Sequence, residues 1–153
     1  MIRELDLSDE REALRVLDLQ RASYAVEACL IGSWDIPPLR DTVRSLQQCV
    51  ETFCGYFVEG RLAGALSYKE EDDVLDIHRL VVDPDHFRKG IARSLVEHVE
   101  KTAQLSCKVV VSTGAKNTPA RSLYQSMGFK ETEEIEVAPG LRIVRFEKTV
   151  QSQ

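Results

Sequence analysis

A basic loop that contains a glycine, formed by Arg88, Lys89 and Gly90, is the part of the chain best suited by residue type to bind a ligand. It follows an apolar strand pattern over residues 80–82 and precedes a helical pattern that begins at Ile91. The first turn of a helix leaves backbone N–H groups unpaired, and the helix dipole is positive there. Because glycine lets a ligand approach the backbone closely, the pattern predicts a diphosphate site.

A second segment, residues 117–129, reads as a helix with marked ends. Thr118 is expected to cap it, Pro119 suits the first helical position, and Gly128 suits the C-terminal stop. Neither segment contains a P-loop or a dinucleotide-binding glycine fingerprint.

Together the two segments resemble the GNAT superfamily of acetyl-CoA-dependent acyltransferases. Residues 87–92 match its pyrophosphate loop, [Q/R]-x-x-G-x-[G/A], and residues 117–129 match its N-x-x-A-x-x-x-Y-x-x-x-G-F block without a gap. Phe87 departs from the family, which has Gln or Arg there. We expect Arg88 and Lys89 to supply polar contacts to the pyrophosphate in its place. The affinity for CoA is expected to be lower than is usual in the family.

The resemblance implies that acetyl-CoA is the co-substrate, that no metal is used, and that both segments contact the acetyl-CoA. It implies that the backbone N–H of Val82 stabilises the oxyanion and that Tyr124 protonates the leaving thiolate; the alternative for Tyr124 is packing alone. Asn117 contacts the pantetheine arm or the strand edge in the family, and helix capping is its alternative. The predicted cofactor-binding residues are Leu80, Val81, Val82, Phe87, Arg88, Lys89, Gly90, Ile91, Ala92, Arg93, Asn117, Arg121 and Tyr124.

The candidate bases are Asp76 and His78, which are expected to share one face of a strand with Leu80 because side chains alternate along a strand. Aligned positions in the family hold a glutamate in lysine-directed members and histidines in arylalkylamine members. The unperturbed pKa of histidine, about 6.5, suits a base. The alternatives are that these side chains are merely exposed or paired with Arg79, and that water is the base.

The acceptor pocket in this fold is expected between the first two helices and the loop that joins them. Tyr24, Glu27, Trp34 and Asp35 fall in that region. A carboxylate beside aromatic rings suits an ammonium group. The alternative is that Tyr24 and Trp34 only pack.

The periodicity predicts a mixed α/β fold in the order β-α-α-β-β-β-α-β-α-β-β. A strand over residues 1–6 precedes a helix capped by Ser8 that runs to about Leu30, and a second helix covers residues 39–50. The helix after the basic loop is expected over residues 88–104 and strand 5 over residues 108–113. The resemblance implies a central mixed sheet whose parallel strands 4 and 5 splay apart to admit the pantetheine arm.

The bulk composition bounds the class of protein. A chain of 153 residues suits a single domain over residues 1–153, and a net charge of −5 argues against nucleic-acid binding. Four cysteines without a C-x-x-C pair suit free thiols in a reducing, cytoplasmic compartment. No signal peptide or membrane span is expected, and dimers are common in the superfamily.

The predicted function is direct transfer of acetyl from acetyl-CoA to a primary amine, with a small molecule as first choice of acceptor. Protein N-termini or lysine side chains are the second choice. A CoA-binding module without turnover and a structural protein that reuses the fold are the alternatives from other classes.

Overall fold

The computed structural model describes residues 1–31, 41–102 and 108–150. The order of helices and strands is the predicted one. The elements are β1 Ile2–Glu4, α1 Glu10–Ile31, α2 Val43–Gln48, β2 Thr52–Val58, β3 Arg61–Glu71, β4 Val74–Val82, α3 Ile91–Thr102, β5 Lys108–Gly114, α4 Thr118–Ser126, β6 Lys130–Ala138 and β7 Leu141–Thr149, with a short 3₁₀ turn at Pro84–His86.

The strands form one seven-stranded mixed sheet in the order β1-β2-β3-β4-β5-β7-β6. The central pair, β4 and β5, is parallel, and its register runs from Val74 opposite Lys108 to Ile77 opposite Val111. Both strands continue beyond those residues, to Val82 and Gly114. The two strands therefore part halfway along, as predicted, and leave a wedge-shaped gap in the middle of the sheet.

A β-bulge interrupts β4 where it pairs with β3. Ser67 pairs with Arg79 and the next residue, Tyr68, pairs with Ile77, so His78 is the extra residue. An extra residue reverses the alternation of side chains beyond it. Leu80 consequently packs with the same core cluster as Ile77, which corrects the prediction that Leu80 shares a face with Asp76 and His78.

The helices cover both faces of the sheet. On one face α3 and α4 pack over the largest apolar cluster, which includes Leu95, Val99 and Phe146. On the other face α1 packs against β3 and β4 through Ala28 and its neighbours, and α2 inserts Leu46 beside β2. The two layers hold the central gap open between α1 on one side and α4 on the other.

Four predicted helix starts differ from the structure. Asp9 caps α1, since its Oδ1 accepts from the Arg11 N–H at 2.9 Å, whereas the Ser8 hydroxyl donates to Asp6. The helix α2 begins at Val43 because Thr42 forms a capping box with Ser45.

The helix α3 begins at Ile91 rather than at residue 88. Arg88 and Gly90 adopt φ values of 64° and 78°, which a right-handed helix excludes. The cap of α4 is Asn117, whose Oδ1 accepts from the Ala120 N–H at 3.3 Å, and not Thr118.

Candidate active site

A groove of about 520 Å³ runs from the basic loop into the gap of the sheet. Its walls come from α1, the end of β4, the start of α3, and α4, and its surface is mostly apolar. The lining residues are Ser23, Val26, Glu27, Leu80, Val82, Phe87, Arg88, Gly90, Ile91, Ala92, Arg93, Asn117, Pro119, Ala120, Leu123 and Tyr124.

The outer end of the groove carries positive charge. The left-handed conformations of Arg88 and Gly90 bend the loop so that α3 starts at the groove wall. The Arg93 guanidinium is held there by the Ser126 hydroxyl at 2.6 Å. Phe87 lies at the same end with 41% of its surface exposed. Unpaired first-turn N–H groups beside cationic side chains suit a diphosphate.

A second cavity of about 260 Å³ lies beside the groove. Its walls come from α1, the bulged part of β4, β5, α4, and the β6–β7 hairpin. The lining residues are Tyr24, Glu27, Ile77, His78, Arg79, Leu80, Val111, Ser112, Thr113, Gly114, Asn117, Ala120, Tyr124, Val137, Leu141 and Ile143. Among the described residues, the hairpin lines this cavity and α2 does not, and most of the loop predicted to line the acceptor pocket lies outside the described residues.

The groove and the second cavity meet at five residues, which line both. They are Glu27, Leu80, Asn117, Ala120 and Tyr124. Of these five, Glu27 and Tyr124 are ionisable. A group bound at this junction is therefore in reach of a carboxyl and a phenol at once.

Glu27 lies near the C-terminal end of α1 and is half-buried. Burial raises the pKa of its carboxyl, while hydrogen bonds from the Asn117 side chain and from the backbone N–H of Gly114 act in the opposite direction. Since the Asn117 oxygen caps α4, its amide group is the donor to Glu27. One residue thus fixes both the helix start and the carboxylate.

Tyr124 is 4% exposed, and its ring packs against Phe129 and Phe146 with centroids 5.6 Å away in each case. Burial raises the pKa of its phenol, and the charge of Glu27 raises it further. The pKa of Tyr24 is raised by the same two causes. Both phenols are protonated at neutral pH and are available as donors.

The backbone N–H of Val82 donates to the Ser23 hydroxyl at 3.3 Å. This bond crosses the groove from β4 to α1, beyond the residues at which β4 pairs with β5. Ser23 was not predicted. Its signal in the sequence was its position four residues before Glu27, which places both on one side of α1.

His78 lines the second cavity and lies between two carboxylates. Its Nε2 is 3.6 Å from Asp76 Oδ2 and its Nδ1 is 3.8 Å from Glu51 Oε2. Asp76 is more than half exposed and lines neither cavity. His78 therefore lies at the candidate site, whereas Asp76 lies outside it.

Arg79 does not take the role of a surface cation. Its guanidinium donates to Glu51 at 2.8 Å and to Asp41 at 3.2 Å, and little of it is exposed. Glu51 also accepts from the Ser67 hydroxyl at 2.6 Å. This network links β3 and β4 to the segment that precedes β2, at the wall of the second cavity that Arg79 lines.

Several predicted site residues lie away from both cavities. Val81 is buried in the cluster beneath α1. Arg121 donates to the Ala115 carbonyl at 2.7 Å and to Glu131 at 3.1 Å, which turns it from the groove. Lys89 is exposed and belongs to neither lining. Trp34 and Asp35 lie outside the described residues.

Within residues 1–31, 41–102 and 108–150, no group of three or more His, Cys, Asp or Glu side chains is arranged to hold a metal ion. In the same part of the chain, no helix has the length and apolar character needed to cross a membrane.

A wedge-shaped gap between parallel strands, with a long groove entering it, defines a fold class shared with solved acetyltransferases. The ribosomal-protein-S18-alanine N-acetyltransferase of Escherichia coli superposes with a TM-score of 0.77 at 16% identity, over 98% of this chain and 93% of that one. The PaiA N-acetyltransferase of Thermoplasma acidophilum, solved with coenzyme A, gives 0.75 at 21% identity, over 97% and 98%.

The chain belongs to the acetyltransferase (GNAT) family, whose model matches residues 14–129. Its domain is that of an acyltransferase, as the two motifs predicted. It is 39% identical to the UPF0157 protein YqkA of Bacillus subtilis (strain 168) over 95% of this chain and 43% of that protein. It is 34% identical to N-acetylaspartate synthetase of Xenopus tropicalis over 55% and 33%. The chain thus spans less than half the length of these relatives.

Proposed function

We propose that this domain transfers acetyl from acetyl-CoA directly to a primary amine. The observation that carries the proposal is the pair of cavities that meet at Glu27 and Tyr124. Direct transfer needs both substrates at one junction, and a long groove joined to a small cavity suits a long acyl donor and a compact acceptor.

Acetyl-CoA fits the groove by chemistry as well as by shape. The pyrophosphate would lie at the start of α3 beside Arg88 and Arg93, and the pantetheine arm would follow the apolar wall toward Tyr124. A structural neighbour solved with coenzyme A supports this choice. Phe87, which lines the groove, offers an apolar face where the family has a polar side chain.

Tyr124 is proposed as the acid that protonates the leaving thiolate, and the Val82 N–H as a donor to the oxyanion. The Ser23 hydroxyl must turn away for an acyl oxygen to accept from Val82. The resemblance points to Asp76 or His78 as a candidate base, with water as the alternative, and of these two side chains only His78 lines a cavity.

A small-molecule amine is the first choice of acceptor because the second cavity has a volume of about 260 Å³. Curated relatives named N-acetylaspartate synthetase and streptothricin acetyltransferase favour the same choice. Solved neighbours named ribosomal-protein-alanine N-acetyltransferases favour an amine of a protein, at its N-terminus or on a lysine side chain, as the second choice.

The test is a calorimetric titration of the full chain with acetyl-CoA, followed by a thiol-release assay with amino acids, polyamines, arylalkylamines and N-terminal peptides. We expect the wild type to bind and Gly90→Glu to lose binding, because the added carboxylate meets the pyrophosphate.

Gly60→Glu is the matched control for that variant. Gly60 has a φ of 79°, against 78° for Gly90, and open space around it, so the backbone strain is equal. Absence of binding in a folded wild type contradicts the proposal. Binding without turnover of any amine supports the module without catalysis instead.

A further inference from the structure

The junction of the two cavities holds an acid–base pair of which Tyr124 belongs to a family motif and Glu27 does not. Glu27 comes from α1 and Tyr124 from α4, on opposite sides of the gap, and each lines both cavities. Burial raises the pKa of the Tyr124 phenol, and the charge of Glu27 acts in the same direction.

Glu27 is also held in place. The Asn117 amide and the Gly114 N–H both donate to its carboxyl, from the start of α4 and the end of β5. Two fixed donors orient a carboxylate, and the remaining lone pairs stay available to a ligand. An ordinary surface carboxylate is solvated by water and does not need two donors from the protein.

His78 is less well placed for the same task. It lines the second cavity but not the groove, and its two nitrogens face Asp76 and Glu51 rather than the junction. The thioester carbon must lie where the groove meets the cavity, because the acyl donor enters from one and the amine from the other. Glu27 reaches that point and His78 borders one side of it.

We propose that Glu27 accepts the proton of the attacking amine and passes it to Tyr124, so that the two side chains form one proton path across the junction. The inference rests on the proposed function. The neutral amine nitrogen forms the C–N bond, and Glu27 takes its proton as the adduct collapses. The C–S bond breaks, sulfur takes the Tyr124 proton, and Glu27 then returns its proton to the tyrosinate. Both side chains end as they began.

Titratable groups line both cavities beside Glu27. On the groove side they include Arg88 of the basic loop and Arg93 of α3. Tyr24 lies on α1, His78 and Arg79 on β4, and Tyr124 on α4. The residues that β5 and the β6–β7 hairpin contribute to the same cavity carry no ionisable side chain. The charge of Arg79 is balanced by its ion pairs with Asp41 and Glu51. Among the described residues that line this cavity, Glu27 is the one with a carboxyl side chain.

The test compares Glu27→Gln with His78→Gln in the full chain, using acetyl-CoA and the best amine from the thiol-release panel. We expect Glu27→Gln to lower kcat about 100-fold or more, the usual contribution of a general base. Acetyl-CoA affinity should stay within about threefold, since glutamine keeps the shape of glutamate. His78→Gln is the rival variant and is judged by its pH profile. The control is Glu97→Gln, at an exposed position of α3 outside both cavities, which should keep the wild-type kcat.

The pH profile separates catalysis from structure. The acid limb of the wild-type kcat profile should lose one ionisation in Glu27→Gln and keep it in His78→Gln. Asn117→Ser retains a capping oxygen but removes the amide that donates to Glu27. Because that donor lowers the pKa of Glu27, the limb should move to higher pH in Asn117→Ser.

Three outcomes would overturn the inference. In the first, Glu27→Gln turns over as fast as the wild type. In the second, it raises KM alone, which makes Glu27 an ammonium-binding group. In the third, His78→Gln removes the ionisation. A wild type that acetylates none of the amines rejects the proposed function and this inference with it, whereas the first three outcomes leave the proposed function standing.

Discussion

The carboxyl of Glu27 lies where burial opposes its ionisation, and this has a consequence for stability. Its pKa is raised in the folded chain from an ordinary value of 4.5. A group with a raised folded pKa contributes its full stabilisation below the unfolded pKa and loses it as pH rises through the folded one. Ionised Glu27 is therefore expected to lower the free energy of unfolding at neutral pH.

Glu27→Gln should consequently stabilise the domain at pH 7 relative to the wild type, and much less so near pH 4. Urea unfolding of both proteins at the two pH values measures the difference. If the difference in free energy of unfolding between the two proteins is the same at pH 4 and pH 7, the carboxyl is not desolvated as described.

Tyr124→Phe removes the hydroxyl group and keeps the aromatic ring. The ring packs against Phe129 and Phe146 and should stay in place, so the variant should fold and bind acetyl-CoA within about threefold of the wild type. Loss of the proton donor should lower kcat about 100-fold. Steady-state kinetics and calorimetry check both values, with Tyr56→Phe, outside both cavities, as control. Unchanged turnover would assign Tyr124 to packing.

Ser23→Ala tests the bond that the Val82 N–H makes across the groove. The variant leaves that N–H open to a ligand carbonyl, so acetyl-CoA should bind more tightly, by up to about tenfold for a hydrogen bond of about 1.5 kcal/mol. Calorimetric titration measures the change. Weaker binding would show instead that the Ser23 hydroxyl holds the ligand itself.

At the scale of elements, the position of α3 depends on Gly64 in β3. A Cβ at Gly64 would lie 2.6 Å from the Ile91 Cγ2 and 3.2 Å from the Leu95 Cδ1. Gly64→Ala should therefore cost about 1–3 kcal/mol of stability, as overpacking does. Urea unfolding measures it.

The control for Gly64→Ala is a double-mutant cycle with Ile91→Ala. Removing the Ile91 side chain relieves the closest contact, so the two changes should cost less together than their sum. Additive costs would contradict a direct contact between these positions.

The elements also show where sequence reasoning succeeds. Hydrophobic periodicity and the two motifs predicted the order of strands and helices, the basic loop and the parting of β4 from β5. Period-two alternation failed at Leu80 because the bulge at His78 reverses the faces, and nothing in the residues 76–80 marks that bulge. The two donors to the Glu27 carboxyl could not be predicted either, because Gly114 and Asn117 are distant from Glu27 in sequence and meet it only in the fold.

For the whole molecule, the gap divides the sheet into β1–β4 and β5–β7, which share a ladder only over residues 74–77 and 108–111. A ligand in the groove contacts both parts. Acetyl-CoA at about 100 times its Kd should add about 2.7 kcal/mol to the free energy of unfolding and raise Tm. Differential scanning calorimetry checks this, and Gly90→Glu should show no shift. A shift of equal size in that variant would place the ligand elsewhere.

The division of the sheet is also a division of the chain, and this bears on synthesis at the ribosome. Every strand of the first part is made before β5, so β4 is for a time the outer edge of an unfinished sheet. Unpaired edges recruit other chains and favour aggregation. Since β4 pairs with β5 only as far as Ile77, the arrival of β5 covers only the first part of that edge, and residues 78–82 gain no β5 partner. The gap that would admit a substrate in the mature domain is therefore also a stretch of strand edge that a bound ligand, and not another strand, would cover.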